Sequence, residues 1–464
     1  GEGLLDPSLT NWATLEFSSF PTVDFNGIFS YLAAYQYDCT EQIASRGIGA
    51  LSLRPFLDGK NSAEVDILVP KLLKELYSRQ LPGGGFTYWP GSSKADSWVS
   101  SMAGEFMTMA SRNGFEVSKA VQASWSNYQK KSVREYRNPA APDMSLLDQD
   151  YRLYTLAYAS DSQDGAMNRL KEAQNLSPEA AWMLSAAYSI TGKKNTAREM
   201  IALIKSGFRD RSGRDITYSS PIRDKAVAVK ALALADEVPQ ALSLAGEIAE
   251  YLHPGMYMTQ EVAFVSSALD ALSDKVSTSA FDLEISSGGK NAPLQSAKSV
   301  AVERVDPSLG PVKVRNKADG TVYATLTVEN SPGDKPVRAR SNGLSVSVSY
   351  VGMDGKEVDP SSLAQGQEFC SVVSVSNTGG VEGYENLALV EPVPSGWEIF
   401  NTRLILGVQG PDEVRTDIRD DRTIRYFPLG RGETRKFVTS LRAAYAGEYV
   451  LPSVKCENMY DVRV

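Results

Sequence analysis

The sequence predicts a multidomain α + β protein, in which a ring of helical hairpins (an α/α-toroid) is followed by antiparallel β-sandwich domains. The first observation is length, because 464 residues are too many for one hydrophobic core and indicate two to four domains. The second is the sequence from about residue 29 to 275, which is rich in Ala, Leu and Met and has the apolar periodicity of α-helices. The third is a change near residue 276 to the two-residue alternation of β-strands.

Residues 1–28 are predicted to be a lead-in strand or linker. Within the helical region, 225–235 is apolar almost all round, which indicates a buried helix, whereas 195–199 is polar enough for an outer helix. This alternation is what a ring of hairpins requires. We expect about twelve helices, and the clearest are 61–80, 97–113, 145–160, 178–191, 194–206, 222–236, 238–251 and 258–273.

The remainder is predicted to be all-β, because apolar and polar residues alternate in segments such as 321–328 and 344–350. Asp319-Gly320 and Asp354-Gly355 are typical hairpin turns. We divide the chain into a lead-in (1–28), a helical domain (29–275), a smaller β domain (276–336) and a final β-sandwich (337–464).

Composition limits the classes of function. The chain is 42% hydrophobic and 22% charged, as in ordinary soluble proteins, with a net charge of −8. No basic stretch is dense enough to follow a phosphate backbone, so we expect no nucleic-acid partner. No apolar run reaches the roughly 18 residues of a membrane helix, so we expect no membrane contact within this chain. The start at Gly1 has neither an initiator Met nor a signal, so we expect an excised fragment.

Cysteine and histidine are scarce. The chain has three cysteines and one histidine, His253, well separated in sequence, and we therefore expect no metal and no cofactor. Cys370 and Cys456 both fall in strand-like segments of the last domain. A disulfide between them and two buried thiols are both open.

The segment 38–42 (Asp-Cys-Thr-Glu-Gln) carries the most specific chemistry. Asp38 and Glu41 have the spacing of a capping box, which places Cys39 in the first turn of a helix. Cys39 and Gln42 then lie on one face, and a helix N-terminus favours a thiolate. Attack of the thiolate on the Gln42 side-chain carbonyl, with loss of ammonia, would give an internal thioester. The spacing permits this bond and does not by itself demand it.

The longer segment 35–42 (Tyr-Gln-Tyr-Asp-Cys-Thr-Glu-Gln) resembles the thioester motif of the α2-macroglobulin family, especially its bacterial branch, where Tyr-Pro-Tyr-Gly-Cys-x-Glu-Gln is usual. Further similar segments follow in the family's order over nearly the whole chain. They are 85–90 with 96–98, 148–154, 218–224, 258–261, 393–398, 419–422 and 459–461.

This resemblance implies a function. Residues 29–275 would be the thioester domain, 276–336 the rest of a CUB-like β domain that the helices interrupt, and 337–464 the terminal macroglobulin-type sandwich that shields the thioester. Family members are protease traps rather than enzymes: a protease cuts an upstream bait region, and the exposed thioester acylates it. The partners would be target proteases, bound covalently through amines, and the upstream macroglobulin domains of the full-length chain. Bacterial members are typically periplasmic or in the cell envelope, and often lipid-anchored.

The chain departs from the family motif at two positions. Gln36 replaces the usual Pro, and Asp38 replaces the Gly before the cysteine. A carboxylate beside the sulfur disfavours the thiolate by repulsion, so we expect Asp38 to slow thioester formation. Complement relatives use a histidine to transfer the acyl group to hydroxyls, and 91–93 (Gly-Ser-Ser) stands at that place here, which implies a preference for amines.

Further residues are candidates around the thioester. Glu41 is expected to help orient the helix start. Five more side chains could keep water from the acyl group or could simply pack the core: Tyr35, Tyr37, Trp89, Met256 and Tyr257. Two other functions stay open, namely a non-covalent binding or scaffold module with an inactive thioester, and a cysteine hydrolase with a Cys39–His253 dyad.

Overall fold

The computed structural model describes residues 10–21, 23–137, 144–173, 176–204, 208, 220–252, 257–276, 281–287, 290–296, 300–306, 311–319, 321–330, 339–379, 383–400, 414–461 and 464. The chain divides into two compact units, Gly1–Asp334 and Lys335–Val464.

Twelve α-helices are described in the first unit, in agreement with the number expected from the sequence. They are α1 (Phe25–Ala34), α2 (Thr40–Leu53), α3 (Gly59–Tyr77), α4 (Ser97–Arg112), α5 (Lys119–Glu135), α6 (Met144–Tyr158), α7 (Asp164–Lys171), α8 (Pro178–Ile190), α9 (Lys194–Leu203), α10 (Pro221–Leu234), α11 (Val238–Tyr251) and α12 (Thr259–Ser273).

The even-numbered helices form a closed ring, since each packs against the next and α12 packs against α2. All residues of α2 are buried, as expected for an inner helix. The odd-numbered helices from α3 to α11 each pack against the preceding even-numbered helix. They are amphipathic, and in α9 only Ala197 and Met200 are buried. The predicted ring of hairpins is therefore confirmed.

The first helix begins earlier than the sequence patterning suggested. Helix α1 starts at Phe25, because the Asp24 side chain accepts a hydrogen bond from the backbone N–H of Gly27 at 2.8 Å and caps the helix. The predicted lead-in thus contains both this helix start and a strand.

A small β-sandwich combines one strand that precedes the helical region with five strands that follow it. Its strands are β1 (Thr10–Ser18), β2 (Phe281–Ser287), β3 (Lys290–Ser296), β4 (Val300–Val305), β5 (Lys313–Asn316) and β6 (Tyr323–Asn330). They form two sheets, β4-β1-β6 and β3-β2-β5, and β1 pairs antiparallel with both neighbours. The ring of helices is thus inserted between strands of one sheet. The expected hairpin at Asp319 is wrong, because β5 and β6 belong to different sheets; Gly320 lies outside the described residues.

The second unit is the predicted antiparallel sandwich. Its strands are β7 (Leu344–Gly352), β8 (Glu368–Asn377), β9 (Gly383–Pro392), β10 (Trp397–Ile399), β11 (Arg415–Ile418), β12 (Arg422–Gly430), β13 (Thr434–Ala443) and β14 (Lys455–Asn458). The sheets are β10-β13-β8-β7 and β11-β12-β9-β14. Residues such as Val373 from one sheet and Leu389 from the other share a core. The turn expected at Asp354-Gly355 is confirmed, with Gly355 at φ +79°.

Candidate functional site

Cys39 lies at the N-terminus of the buried inner helix α2. Its backbone is extended (φ −62°, ψ 159°), which makes Cys39 itself the N-cap residue. The expected capping box of Asp38 and Glu41 is therefore wrong by one residue. The side chain that folds back is that of Gln42, whose Oε1 accepts a hydrogen bond from the Cys39 backbone N–H at 3.3 Å. The two predicted thioester residues thus meet at a helix start.

Glu41 and Gln42 both have further partners inside this site. The Cys39 Sγ donates to Glu41 Oε2 over a long contact of 4.0 Å, and Ser45 Oγ donates to Glu41 Oε1 at 2.6 Å. The Gln42 Nε2 donates to the Tyr35 hydroxyl at 3.1 Å. The side chains of Cys39, Glu41 and Gln42 are completely buried, with 0% exposure. The site is therefore compact, polar and closed to water.

A short hairpin-like segment holds the helix start from the other side. The Thr40 backbone N–H donates to the carbonyl of Tyr88 at 2.9 Å, and the Thr40 hydroxyl donates to the carbonyl of Thr87 at 2.6 Å. The Thr87 N–H in turn donates to the carbonyl of Arg79 at 3.1 Å. The first of these bonds satisfies a backbone donor that the N-terminus of α2 leaves open, and together they hold the residue that follows Cys39 in place.

Asp38 has a cationic partner that the sequence did not reveal. The Arg79 Nη2 donates to the Asp38 backbone carbonyl at 3.1 Å and lies 3.5 Å from Asp38 Oδ2. The Arg79 side chain is 5% exposed and that of Asp38 29% exposed. Because a guanidinium beside the carboxylate offsets its charge, the repulsion expected between Asp38 and a Cys39 thiolate is reduced. Nothing in the local spacing pointed to a partner 41 residues away.

Three of the five predicted shielding residues belong to one aromatic cluster. The rings of Tyr35 and Tyr37 meet edge to face at a centroid distance of 5.2 Å, and Tyr31 lies 5.4 Å from Tyr35 and 5.6 Å from Tyr257. Burial raises the pKa of both Tyr35 and Tyr257 above the ordinary range.

The other two shielding residues are placed differently. Trp89 pairs with Tyr88, whose ring is 5.7 Å away. The backbone carbonyl of Tyr88 also accepts a hydrogen bond from the Thr40 N–H, so this second aromatic pair adjoins the start of α2. Met256 lies outside the described residues, as does His253, so the structure does not place the Cys39–His253 dyad.

The remaining cysteines are not joined. Cys370 on β8 and Cys456 on β14 lie in opposite sheets, and both thiols are free, so the alternative of a disulfide between them is wrong. Burial raises the pKa of Cys456 to about 12. Within the described ranges, no three His, Cys, Asp or Glu side chains are grouped as metal ligands. None of the helices in the described part of the chain is long and apolar enough to cross a membrane.

Comparison with known proteins extends this picture. Residues 343–461 match the family model of the Bacterial Alpha-2-macroglobulin MG10 domain. The chain is 25% identical, over 99% of its length, to an Alpha-2-macroglobulin of Xylella fastidiosa strain Temecula1, and it spans 30% of the length of that relative.

Two solved structures have a similar fold, each with a TM-score of 0.78. One is native alpha-2-macroglobulin from Escherichia coli, from domain MG7 to the C-terminus, which is 20% identical, with 99% of this chain and 76% of that chain covered. The other is Salmonella alpha-2-macroglobulin reacted with methylamine, which is 21% identical, with 97% of this chain and 30% of that chain covered. Residues 343–461 thus match the MG10 domain of bacterial α2-macroglobulins, and the chain as a whole is similar to the C-terminal region of these proteins.

Proposed function

We propose that this chain is the thioester-bearing part of a bacterial α2-macroglobulin-like protease trap. Cys39 and Gln42 form the internal thioester, and the Gln42 acyl group passes to an amine of the attacking protease after cleavage upstream. The observation that carries this proposal is the position of the Gln42 side chain, whose Oε1 accepts the Cys39 N–H at 3.3 Å.

The geometry supports this chemistry in two ways. The Cys39 N–H points at the oxygen on which negative charge develops when sulfur adds to the Gln42 carbonyl, and the helix N-terminus favours that charge. Complete burial of both side chains excludes the water that would hydrolyse the thioester. We propose Tyr35, Tyr37, Trp89, Met256 and Tyr257 as the wall that maintains this exclusion.

The wider assignments follow the family. We assign 29–275 to a thioester domain, 276–336 to the rest of a CUB-like domain, and 337–464 to a terminal macroglobulin-type domain. The partners proposed are target proteases and upstream domains of the full-length protein, in the periplasm or cell envelope with a lipid anchor. Because each thioester reacts once, the chain acts as an inhibitor without turnover rather than as an enzyme.

A second candidate is a non-covalent binding module with the same fold and no thioester. Asp38 supports this alternative, because a carboxylate stands where the family motif has Gly. Its close contact with Arg79 weakens the argument, since the negative charge is compensated.

Intact-mass measurement of freshly purified chain tests the proposal. We expect wild type to be one ammonia lighter than the sequence mass, with no titratable thiol at Cys39. Methylamine should then add one amine and release that thiol. Cys39→Ala and Gln42→Ala, as controls, should have the full sequence mass and no reaction with methylamine. An unshifted mass in fresh wild type would reject the thioester, and catalytic turnover of peptides would favour the cysteine hydrolase instead.

A further inference from the structure

We infer that Glu41 and Tyr35 are the acid–base residues of the thioester chemistry: Glu41 takes the proton of the Cys39 thiol, and Tyr35 protonates the nitrogen that leaves Gln42. The inference rests on the function proposed above. It assigns residues both to closure of the thioester and to its reaction with amines.

Glu41 is placed to act as the base. Its Oε2 accepts from the Cys39 Sγ at 4.0 Å, and its Oε1 accepts from Ser45 Oγ at 2.6 Å. The second bond holds the carboxylate with one oxygen turned to the sulfur. The sulfur contact is long, but hydrogen bonds in a resting site often tighten only as the reaction proceeds. The carboxylate therefore has the thiol proton within reach and no exposure to solvent.

Tyr35 is placed to act on the leaving nitrogen. Its hydroxyl accepts from Gln42 Nε2 at 3.1 Å. An amide nitrogen can only donate, whereas the nitrogen of the tetrahedral intermediate has a lone pair and can accept. A hydroxyl can serve both states without moving, because it both accepts and donates.

The surroundings of Tyr35 keep its hydroxyl protonated at neutral pH. Burial raises the pKa of Tyr35 well above the ordinary range, and the nearby Tyr31, Glu41, Tyr37 and Cys39 raise it further. A protonated phenol retains the proton that the leaving nitrogen needs.

Closure can be written as a balanced step. The thiol proton passes to Glu41, the bond between Sγ and Cδ of Gln42 forms, and the carbonyl electron pair moves to Oε1, which faces the Cys39 N–H. The intermediate then collapses, and the bond between Cδ and Nε2 breaks with its electron pair on nitrogen. That nitrogen takes the Tyr35 proton and leaves as ammonia, while the proton held by Glu41 restores the Tyr35 hydroxyl. The net products are one thioester and one ammonia.

The capture of an amine reverses this path. Opening by ammonia is the reverse of closure, so the entering nitrogen occupies the position of Gln42 Nε2 and donates to the Tyr35 oxygen. Tyr35 passes its hydroxyl proton to Glu41 and takes in its place the proton that the amine loses, and Glu41 then gives its proton to the departing sulfur. The site is thus built for a nucleophile that carries N–H groups.

The rates of both directions can be measured on this chain. Opening with ammonium salt restores the Cys39 thiol and the Gln42 amide, and desalting then allows closure to be followed by intact mass and thiol titration. In Tyr35→Phe and Glu41→Gln we expect closure and methylamine opening each to slow by about 10²-fold or more. The pH profile separates a role in catalysis from a role in structure. The closure rate of E41Q should rise about tenfold per pH unit, because hydroxide replaces the carboxylate as base. The closure rate of wild type should vary less around neutral pH.

Matched variants keep the test decisive. Glu16→Gln neutralises a buried carboxyl away from the thioester site and should close at the wild-type rate. Ser45→Ala keeps the Glu41 carboxylate and should slow closure only in part. Unchanged rates in Y35F and E41Q, or faster methylamine opening in Y35F, would overturn the inference while leaving a wild-type thioester intact. A wild type without thioester would instead reject the proposed function itself.

Discussion

At the scale of single residues, the site places two carboxylates near the sulfur of Cys39, where their negative charge opposes formation of a thiolate. Asp38 places a carboxylate next to Cys39, and Glu41 places another within reach of the sulfur. Arg79 compensates the first, and Ser45 orients the second. The local electrostatics of Cys39 therefore depend on contacts from outside the motif as much as on the motif itself.

Removal of the Asp38 charge should have little effect on thioester closure. Because Arg79 Nη2 is 3.5 Å from the Asp38 carboxylate, we expect Asp38→Asn to change the closure rate less than about threefold. In an Arg79→Met background the carboxylate is uncompensated, and D38N should then speed closure by about fivefold or more, on the order of 1 kcal/mol. Mass-monitored closure after ammonia opening measures both. A large acceleration by D38N alone would show that Arg79 does not offset the charge.

At the scale of the helix, α2 is buried along its whole length, which restricts the side chains on every face. Gly47 allows α2 to approach α4 closely, because a Cβ at this position would lie 2.2 Å from a ring carbon of Phe106. Phe106 is fully buried and cannot turn into solvent. The position of the Cys39 end of α2 thus depends on a small residue two turns into the helix.

Gly47→Ala should destabilise the first unit by about 1–3 kcal/mol, because the added methyl group overpacks a core that has no space for it. Gly59→Ala is the matched control, since a Cβ there meets nothing within 4 Å and its backbone φ is not positive. We expect G59A to be neutral or to stabilise by up to about 1 kcal/mol. Urea denaturation followed by circular dichroism measures both. Equal stability of the two variants would mean that α2 and α4 move apart to accept the methyl group without loss of unfolding free energy.

At the scale of the whole molecule, the first unit buries several carboxyl groups away from its thioester site. Burial raises the pKa of Glu16, Glu261 and Asp270 to about 7 in each case. Glu16 lies on β1 and accepts from Asn26 at the start of α1, so it links the small sandwich to the ring of helices. These groups make the stability of the unit sensitive to pH.

The free energy of unfolding of the first unit should fall as pH rises from about 5 to 8. Each of the three carboxyl groups has a folded-state pKa above that of the unfolded chain, so its contribution is full below the unfolded pKa and is lost as pH rises through about 7. Glu16→Gln mimics the neutral carboxyl and should remove on the order of 2–3 kcal/mol of that fall. Denaturant titrations across this pH range measure the slope. An unchanged slope in E16Q would show that Glu16 ionises without cost.

The positions of helices and strands could be predicted because the apolar pattern that specifies each element repeats over many residues. The limits of α10 (Pro221–Leu234) agree with the expected 222–236, since apolar residues continue through almost every position from 225 to 235. The N-cap of α2 was predicted one residue too early. Asp38 is the better cap by residue type, but Arg79 binds its carboxylate and Gln42 folds back to the Cys39 N–H instead. The hairpin expected at Asp319 was also wrong, because the residues of a turn do not specify whether the strand that follows joins the same sheet.

The sequence by itself determined the alternation of inner and outer helices, the change to β structure near residue 276, and the proximity of Cys39 to Gln42, because each depends on residues at most a few positions apart. Only the tertiary structure decided which distant groups complete the site. Arg79, Thr87 and Tyr88 reach the helix start from 41 to 48 residues away, and no local period reports such contacts. The structure also specifies which helices meet to close the ring and which strands pair with β1, because these contacts join elements that are far apart in sequence.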